Sequence, residues 1–218
     1  MLKNVNIRSA VWDVNQEIIE ARRHIHQFPE ISWQEKETQA FILRYLEELD
    51  LEDFHPIART GVSALVRGNT SGPCVLWRAD IDALPVSEKT NLPYASKNEG
   101  VMHACGHDVH TAIGLGLARL LSDNRDNLKG NVRLLFQPAE ESTSGAQLCI
   151  EEGVLDTPNV DRVLGLHISA DVPVGMINVA PGPFFAAPTS FRIEIQGLGG
   201  HAASPHQAVD AVVIASQI

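Results

Sequence analysis

Met102-His103-Ala104-Cys105-Gly106-His107-Asp108-Val109-His110 packs three histidines, a cysteine and an aspartate into one short run that leads straight into an apolar segment. Cys105 and His107 stand two apart, so on an extended approach their side chains fall on one side, and Gly106 between them lets the backbone turn tightly. Both are transition-metal ligands. Behind them Val109, Ala112, Ile113, Leu117, Leu120 and Leu121 keep a helical spacing. Asp108 is placed to cap that helix, and Gly114 and Gly116 let it lie close on a sheet. A cysteine beside a helix N-terminus and a cation is expected to shift toward thiolate, the form that binds metal. The bland account, a small buried hydrophobe, is accepted for Cys74 and Cys149; for Cys105 its neighbours outweigh it.

Working outward, the stretches on either side end in metal-binding chemistry. Gly61–Arg67 and Pro73–Arg78 are Val- and Leu-rich runs separated by Gly68-Asn69-Thr70-Ser71-Gly72, and together they predict a hairpin. The second run leads into Arg78-Ala79-Asp80-Ile81-Asp82, which sets Asp80 and Asp82 at the C-terminal end of a strand, where α/β folds place ligands. Turn capping is the ordinary role of such aspartates; the Cys/His cluster downstream favours a site. Asn131–Gln137 predicts another strand, running into Pro138-Ala139-Glu140-Glu141. Adjacent residues there point in different directions, so one glutamate can bind metal while its neighbour serves as general base. A helix is expected over Gly145–Glu152 and a third strand over Arg162–Ile168, with His167 in an otherwise apolar run.

The flanks supply cover. Ser9–His26 and Trp33–Leu49 have amphipathic helical periods, joined by Arg22-Arg23-His24-Ile25-His26-Gln27-Phe28-Pro29-Glu30. Its two histidines read as local structure, because no carboxylate stands at metal spacing. Pro173–Pro188 is rich in proline and glycine, lacks charge, and reads as a connector between domains. Thr189–Gln196 alternates like a strand, Gly197–His206 is a glycine-rich loop presenting His201, and Ala208–Ile218 begins a helix.

The chain has 218 residues, 44% hydrophobic and 20% charged, with a formal net charge of -10. Its cations are scattered, which argues against a nucleic-acid partner and for small-molecule chemistry. Three cysteines without a disulfide pattern, the lack of an apolar leader, and the lack of any run of about 18 apolar residues set the expectation of a soluble cytoplasmic protein away from membranes.

Asp80/Asp82, Cys105/His107, Glu140/Glu141 and His167 together suggest a metal-dependent hydrolase. The set exceeds what one zinc requires, so it implies either two ions sharing a ligand or one ion with carboxylates behind its imidazoles. A cysteine hydrolase using Cys105 with His107 is disfavoured, since residues two apart on one strand face rarely form a nucleophile–base pair.

Arg-Ala-Asp-Ile-Asp-Ala-Leu-Pro at 78–85, the 102–110 stretch, Gln-Pro-Ala-Glu-Glu at 137–141, Gly-Leu-His at 165–167 and the Gly197–Pro205 loop closely resemble, in this order, the aminoacylase / carboxypeptidase G superfamily of metallohydrolases, amidohydrolase branch. The resemblance implies an α/β catalytic domain of zinc-peptidase type over residues 1–180, with helices on both faces of a mixed sheet. Residues 181–218 would begin a ferredoxin-like α+β lid and dimerisation domain. It implies Cys105, His107, Glu141 and His167 as metal ligands, Glu140 as the general base, and Asp82 orienting a ligand histidine. Asp80 stands where many relatives carry a ligand histidine. His201 matches a lid-loop histidine that reaches the partner subunit's site in a homodimer. The implied reaction is hydrolysis of an N-acyl amino acid or related amide by a metal-activated water, with manganese or zinc, or else cobalt or nickel, as the divalent ion. The family also supplies a further ligand histidine after its lid, so the alternative is a metal-binding portion that binds weakly and turns over little substrate.

Overall fold

Asn6 accepts the Ser9 N–H at 3.3 Å and starts α1, Ile7–Gln27, whose Val14, Ala21, Ile25 and His26 are turned inward. The computed structural model describes residues 6–49, 51, 53–142, 145–184, 189 and 191–218. Its contacts divide into two units, Met1–Val172 and Pro173–Ile218.

In the first unit α1 is followed by α2, Lys36–Glu47, and by the strands β1, Asp53–Ile57, β2, Gly61–Arg67, and β3, Thr70–Asp80. After a long irregular segment come α3, His107–Asp123, β4, Lys129–Gln137, α4, Gly145–Glu151, and β5, Arg162–Gly165. The strands form one mixed sheet in the order β1-β2-β4-β3-β5. The β1/β2 and β2/β4 pairs are antiparallel, and β3 runs parallel to both β4 and β5.

Alternation along the central strand assigns the two faces. Leu134 and Phe136 of β4 join Val62, Ala64, Ala79, Ile25, Ile42, Leu46 and Leu115 in one core beneath α1, α2 and α3. Leu135 turns the other way and meets Leu76, Ile57, Cys149 and Val154 under α4. Each such fully buried aliphatic or aromatic side chain contributes about 1.5–3 kcal/mol. Helices therefore cover both faces, as the resemblance implied. Gly114 does face the sheet, where a Cβ would stand 2.9 Å from Phe136 Cε1, but Gly116 admits Ile18 of α1, whose Cδ1 a Cβ would approach to 2.3 Å.

The expected hairpin does not form: β4 inserts between β2 and β3. A strand buried on both faces belongs at the centre of a sheet, and β4 is buried on both over Arg133–Gln137, with Leu134 and Phe136 on one face and Leu135 between Arg133 and Gln137 on the other. The 68–72 turn wraps around its start, with the Gly68 N–H donating to Gly130 O at 3.0 Å. Gly130 has φ +76, and a Cβ there would stand 2.1 Å from Pro73 O, so the crossing requires glycine. β1, which the sequence reading did not anticipate, is an edge strand with Pro56 in it, and it lacks any clean alternation.

β5 is shorter than expected and stops before His167. It lies at the sheet's other edge, which leaves Val163 and Leu164 59% and 54% exposed rather than buried.

In the second unit, residues 173–184 hold no helix or strand, and residues 185–188 of the expected connector lie outside the described residues. Over 191–196 no strand forms among the described residues, because an extended segment needs a hydrogen-bonding neighbour. Its regular features are a Leu198–Val209 bridge, a short 3-10 turn Pro205–Gln207, and α5, Ala211–Ala215, capped by Asp210 on the Val212 and Val213 amides. No described helix is long and apolar enough to cross a membrane.

Replacing Gly130 by alanine places a side chain in the left-handed region and against Pro73. It should destabilise the protein by at least about 2 kcal/mol, seen as a lower urea midpoint at unchanged m-value; an unchanged midpoint would show that the crossing tolerates a Cβ.

Candidate metal centre

The parallel register sets Asp80 level with Gln137, and the Ile81 N–H donates to Gln137 O at 3.1 Å, so the chains leaving β3 and β4 travel side by side. Asp82 and the Glu140–Glu141 turn therefore emerge together. Asp82 is buried and fully engaged: Oδ2 accepts the Ser32 hydroxyl at 2.7 Å and the Glu141 N–H at 3.0 Å. Its backbone oxygen and Oδ1 lie 2.8 and 3.2 Å from His107 Nδ1. Two acceptors on Nδ1 hold the ring proton there and leave the Nε2 lone pair facing away from Asp82.

That Nε2 is buried without a hydrogen-bond partner. It faces Asp80 Oδ2 at 3.6 Å, Glu140 Oε2 at 3.9 Å and Glu141 Oε1 at 3.9 Å. Among the described residues, three groupings each bring possible ligand atoms within 4.8 Å of one another: Cys105/His107/His167, Asp80/His107/His110 and His107/Glu140/Glu141. His107 belongs to all of them. A lone pair with no donor, ringed by carboxylates, thiol and imidazole, suits a divalent cation.

Cys105 and His107 do converge, though through a left-handed residue rather than strand alternation. Gly106, φ +85, precedes α3 and turns Cys105 back so that its Sγ lies 3.3 Å from His167 Nε2. Opposite it, Ala139 holds φ +50, a strained value for a residue with a Cβ. Its N–H donates at 2.8 Å to Glu35 Oε1, and Glu35 Oε2 accepts the Thr60 hydroxyl at 2.6 Å. Burial raises the Glu35 pKa, and these hydrogen bonds oppose the rise. Neither Glu35 nor Ser32 was picked out from the sequence. Their partners lie 104 and 50 positions away, so nothing local marks them.

Burial alone would raise the Asp80 and Asp82 pKa values, but both are lowered. The His110 hydrogen bond with the His107 and Arg78 charges outweighs burial at Asp80, and His107 with Ser32 does so at Asp82. His107 is raised because Asp82 and Asp80 overcome its burial. Glu140 is raised by burial and by Glu141, against the pull of His107. The expected shift of Cys105 toward thiolate is reversed: burial, Glu141, Glu140 and Asp80 push its pKa up to about 12. Burial and the carboxylates outweigh the helix N-terminus, and added positive charge would favour the thiolate.

Asp108 does not cap α3, whose N-cap is Gly106. It is buried in the first turn, where its Oδ2 accepts from His26 Nδ1 at 2.7 Å and pairs with Arg22 Nε at 2.8 Å. His26 Nε2 faces Glu88 Oε1 at 3.3 Å. His26 of the 22–30 stretch thus braces the helix bearing His107, whereas His24 stacks on Phe41 at 4.5 Å. His103 is buried, and burial holds its pKa down to about 4, so its ring is neutral. His201 lies in the second unit, exposed, with Nδ1 accepting the Ala203 N–H at 3.1 Å.

The profile of Peptidase family M20/M25/M40 matches residues 76–217. The N-acetyl-L-cysteine deacetylase of Bacillus subtilis is 51% identical over 205 residues, covering 94% of this chain and 49% of that protein. An N-acyl-L-amino acid amidohydrolase of Geobacillus stearothermophilus is 43% identical over 97% of this chain and 57% of its own length. The crystal structure of the Bacillus subtilis YXEP protein, described as a dinuclear metal-binding peptidase of the M20 family, superposes with a TM-score of 0.74 at 48% identity, over 78% of this chain and 47% of that one. The chain spans about half the length of the curated relatives it matches.

The Asp108–His26 pair has a pH signature. The Asp108 hydrogen bond, working against burial, raises the His26 pKa above its ordinary 6.5. Its stabilisation is therefore complete below 6.5 and is lost as pH climbs through the raised folded value. Burial would raise Asp108, but His26, His103 and Arg22 lower it below 3.8, so its stabilisation holds above 3.8 and is lost as pH falls through the folded value. In chelator, the stability gap between the wild type and His26→Gln should peak between these limits and narrow on the alkaline side. A gap independent of pH would remove charge from this contact.

Proposed function

We propose, for a chain that belongs to Peptidase family M20/M25/M40, that it supplies most of the active site of a metal-dependent amidohydrolase acting on N-acyl amino acids or related amides. The observation that carries this reading is the buried, unpartnered Nε2 of His107 among Asp80, Glu140 and Glu141, beside Cys105 and His167. Cys105, His107, Glu141 and His167 would hold one or two divalent ions, manganese or zinc first, cobalt or nickel next. Bound there, such ions supply Lewis acidity to the scissile carbonyl and lower the pKa of an attacking water.

Glu140 is the general base. Its raised pKa suits a group that takes a proton from the attacking water and returns it to the amide nitrogen as that bond breaks, yielding a carboxylate and an amine. Asp82 keeps the His107 ring in one tautomer. The names of the relatives, an N-acetylcysteine deacetylase and an N-acyl-amino-acid amidohydrolase, point to the substrate class. We further infer that residues 1–180 form the catalytic portion and 181–218 begin a lid, that the protein is cytoplasmic and homodimeric, and that His201 holds the substrate or the developing oxyanion in the partner's site.

The 3.3 Å Cys105–His167 contact invites comparison with a cysteine hydrolase. A thiol pushed up to about 12 by burial and by surrounding carboxylates is a poor nucleophile. The alternative, a metal-binding portion lacking the last ligand, differs in binding metal weakly and turning over little substrate.

Metal analysis with a panel of N-acyl amino acids tests the reading. Glu140→Gln should lower kcat by about 10²–10⁴-fold with metal content unchanged, and chelation should abolish hydrolysis. Chelator-resistant activity would restore the thiol mechanism, and weak metal binding with little or no turnover by the wild type would establish the non-catalytic alternative.

A further inference from the structure

His110 lies in α3 one turn beyond His107 and is 1% exposed. Its Nδ1 stands 2.6 Å from Asp80 Oδ1 and its Nε2 2.9 Å from the Ile168 amide nitrogen. An amide N–H can only donate, so Nε2 accepts, and the ring proton sits on Nδ1 and is donated to the carboxylate. Both nitrogens of the neutral imidazole are thereby used. A cation in the Asp80/His107/His110 grouping would have to break one of these bonds.

The chain of contacts extends in both directions. Behind Asp80, Oδ2 pairs with Arg78 Nη1 at 2.7 Å. Beyond the imidazole, the carbonyl of Ile168 accepts from His167 Nδ1 at 2.6 Å, which leaves His167 Nε2 turned to Cys105. The His110 and His167 rings meet edge to face at 4.7 Å. The Ile168 side chain lies over Gly106, where a Cβ would come within 2.3 Å of its Cδ1. These contacts matter because β5 ends at Gly165, so ladder hydrogen bonds do not hold His167, which is exposed.

We propose that His110 is a positioning residue and not a ligand: by accepting the Ile168 N–H it sets the place and ring orientation of His167, tying the segment beyond β5 to the helix that carries His107. The inference rests on the reading of His167 as a metal ligand. Groups that orient a ligand imidazole typically change metal affinity by about 10–100-fold when removed.

Cobalt(II) titration of this chain, with a double-mutant cycle, provides the test. His110→Asn keeps a donor for Asp80 but cannot reach Ile168, and should weaken cobalt binding by about 10–100-fold; His110→Gln, whose carbonyl reaches the Nε2 position, should recover most of it. In a His167→Ala background, His110→Asn should have almost no further effect. In the metal-free protein, amide exchange at Ile168 should accelerate in His110→Asn while β3 and β4 amides are unchanged. If His110→Asn fails to fold, Ile168→Pro deletes the donor instead, and Ile168→Ala, which loses the same side chain from over Gly106 but keeps the N–H, should retain most of the cobalt affinity that Ile168→Pro loses; equal losses in the two would overturn the tether. Losses that add fully across the cycle would overturn the proposal and make His110 an independent ligand or a general prop. A His167→Ala protein with unchanged cobalt affinity would instead refute the ligand assignment beneath it, and Ile168 exchange would still report whether the tether exists.

Discussion

The contact between Asp82 and His107 Nδ1 is the constraint on which the rest of the site depends. A carboxylate and a backbone carbonyl converge on one ring nitrogen, so the other nitrogen must present a lone pair. Asp82 can do this only because its remaining oxygen is held by Ser32 and by the Glu141 amide. One buried side chain thereby links the start of α2's approach, the end of β3, the Glu140–Glu141 turn and the first residue of α3. Removing any of those partners would leave a buried charge incompletely compensated, a far larger penalty than the loss of an exposed hydrogen bond.

Charge follows from this placement. Asp80, Asp82, Glu140 and Glu141 crowd around one imidazole, with Arg78 pairing only Asp80. Burial together with the excess negative charge explains opposing shifts within a few ångströms. Carboxylates hydrogen-bonded to imidazoles are lowered, whereas Glu140, which faces another glutamate, is raised, and Cys105 stays a thiol. A divalent cation is the simplest way to relieve the repulsion and occupy the His107 lone pair. The two apolar clusters on the faces of the sheet offset the desolvation that such a polar centre imposes.

Around the cluster stands an outer layer of buried polar groups: Glu35 on the Ala139 amide, His26 and Arg22 on Asp108, and His110 between Asp80 and Ile168. Each member fixes a backbone segment that carries a ligand candidate. The layer is drawn from distant parts of the chain, since it is the segments leaving the sheet, and not the strands themselves, that need holding.

The chemistry was legible in the sequence because it is carried by residue type and short spacing. Cys105, His107, Glu140, Glu141, His167, Asp80 and Asp82 could be read as one polar set at strand ends and a helix start; apolar periods marked helices and strands, and the mixed sheet covered on both faces was implied by the family resemblance those motifs carry. Strand order was not legible. Gly68–Gly72 has the composition of a hairpin turn, and only the insertion of β4, buried on both faces, separates β2 from β3. Asp108 looks like a helix cap at short range; a histidine 82 positions away claims it. Cys105 looks like a thiolate beside a helix, but burial, with carboxylates from two strand ends, reverses the shift. By itself, then, the sequence determined which functional groups exist and which runs are apolar. The tertiary structure alone decided which groups meet, because hydrogen bonds, burial and Coulomb interactions act through distance in space, and the partners that set them are remote in the chain.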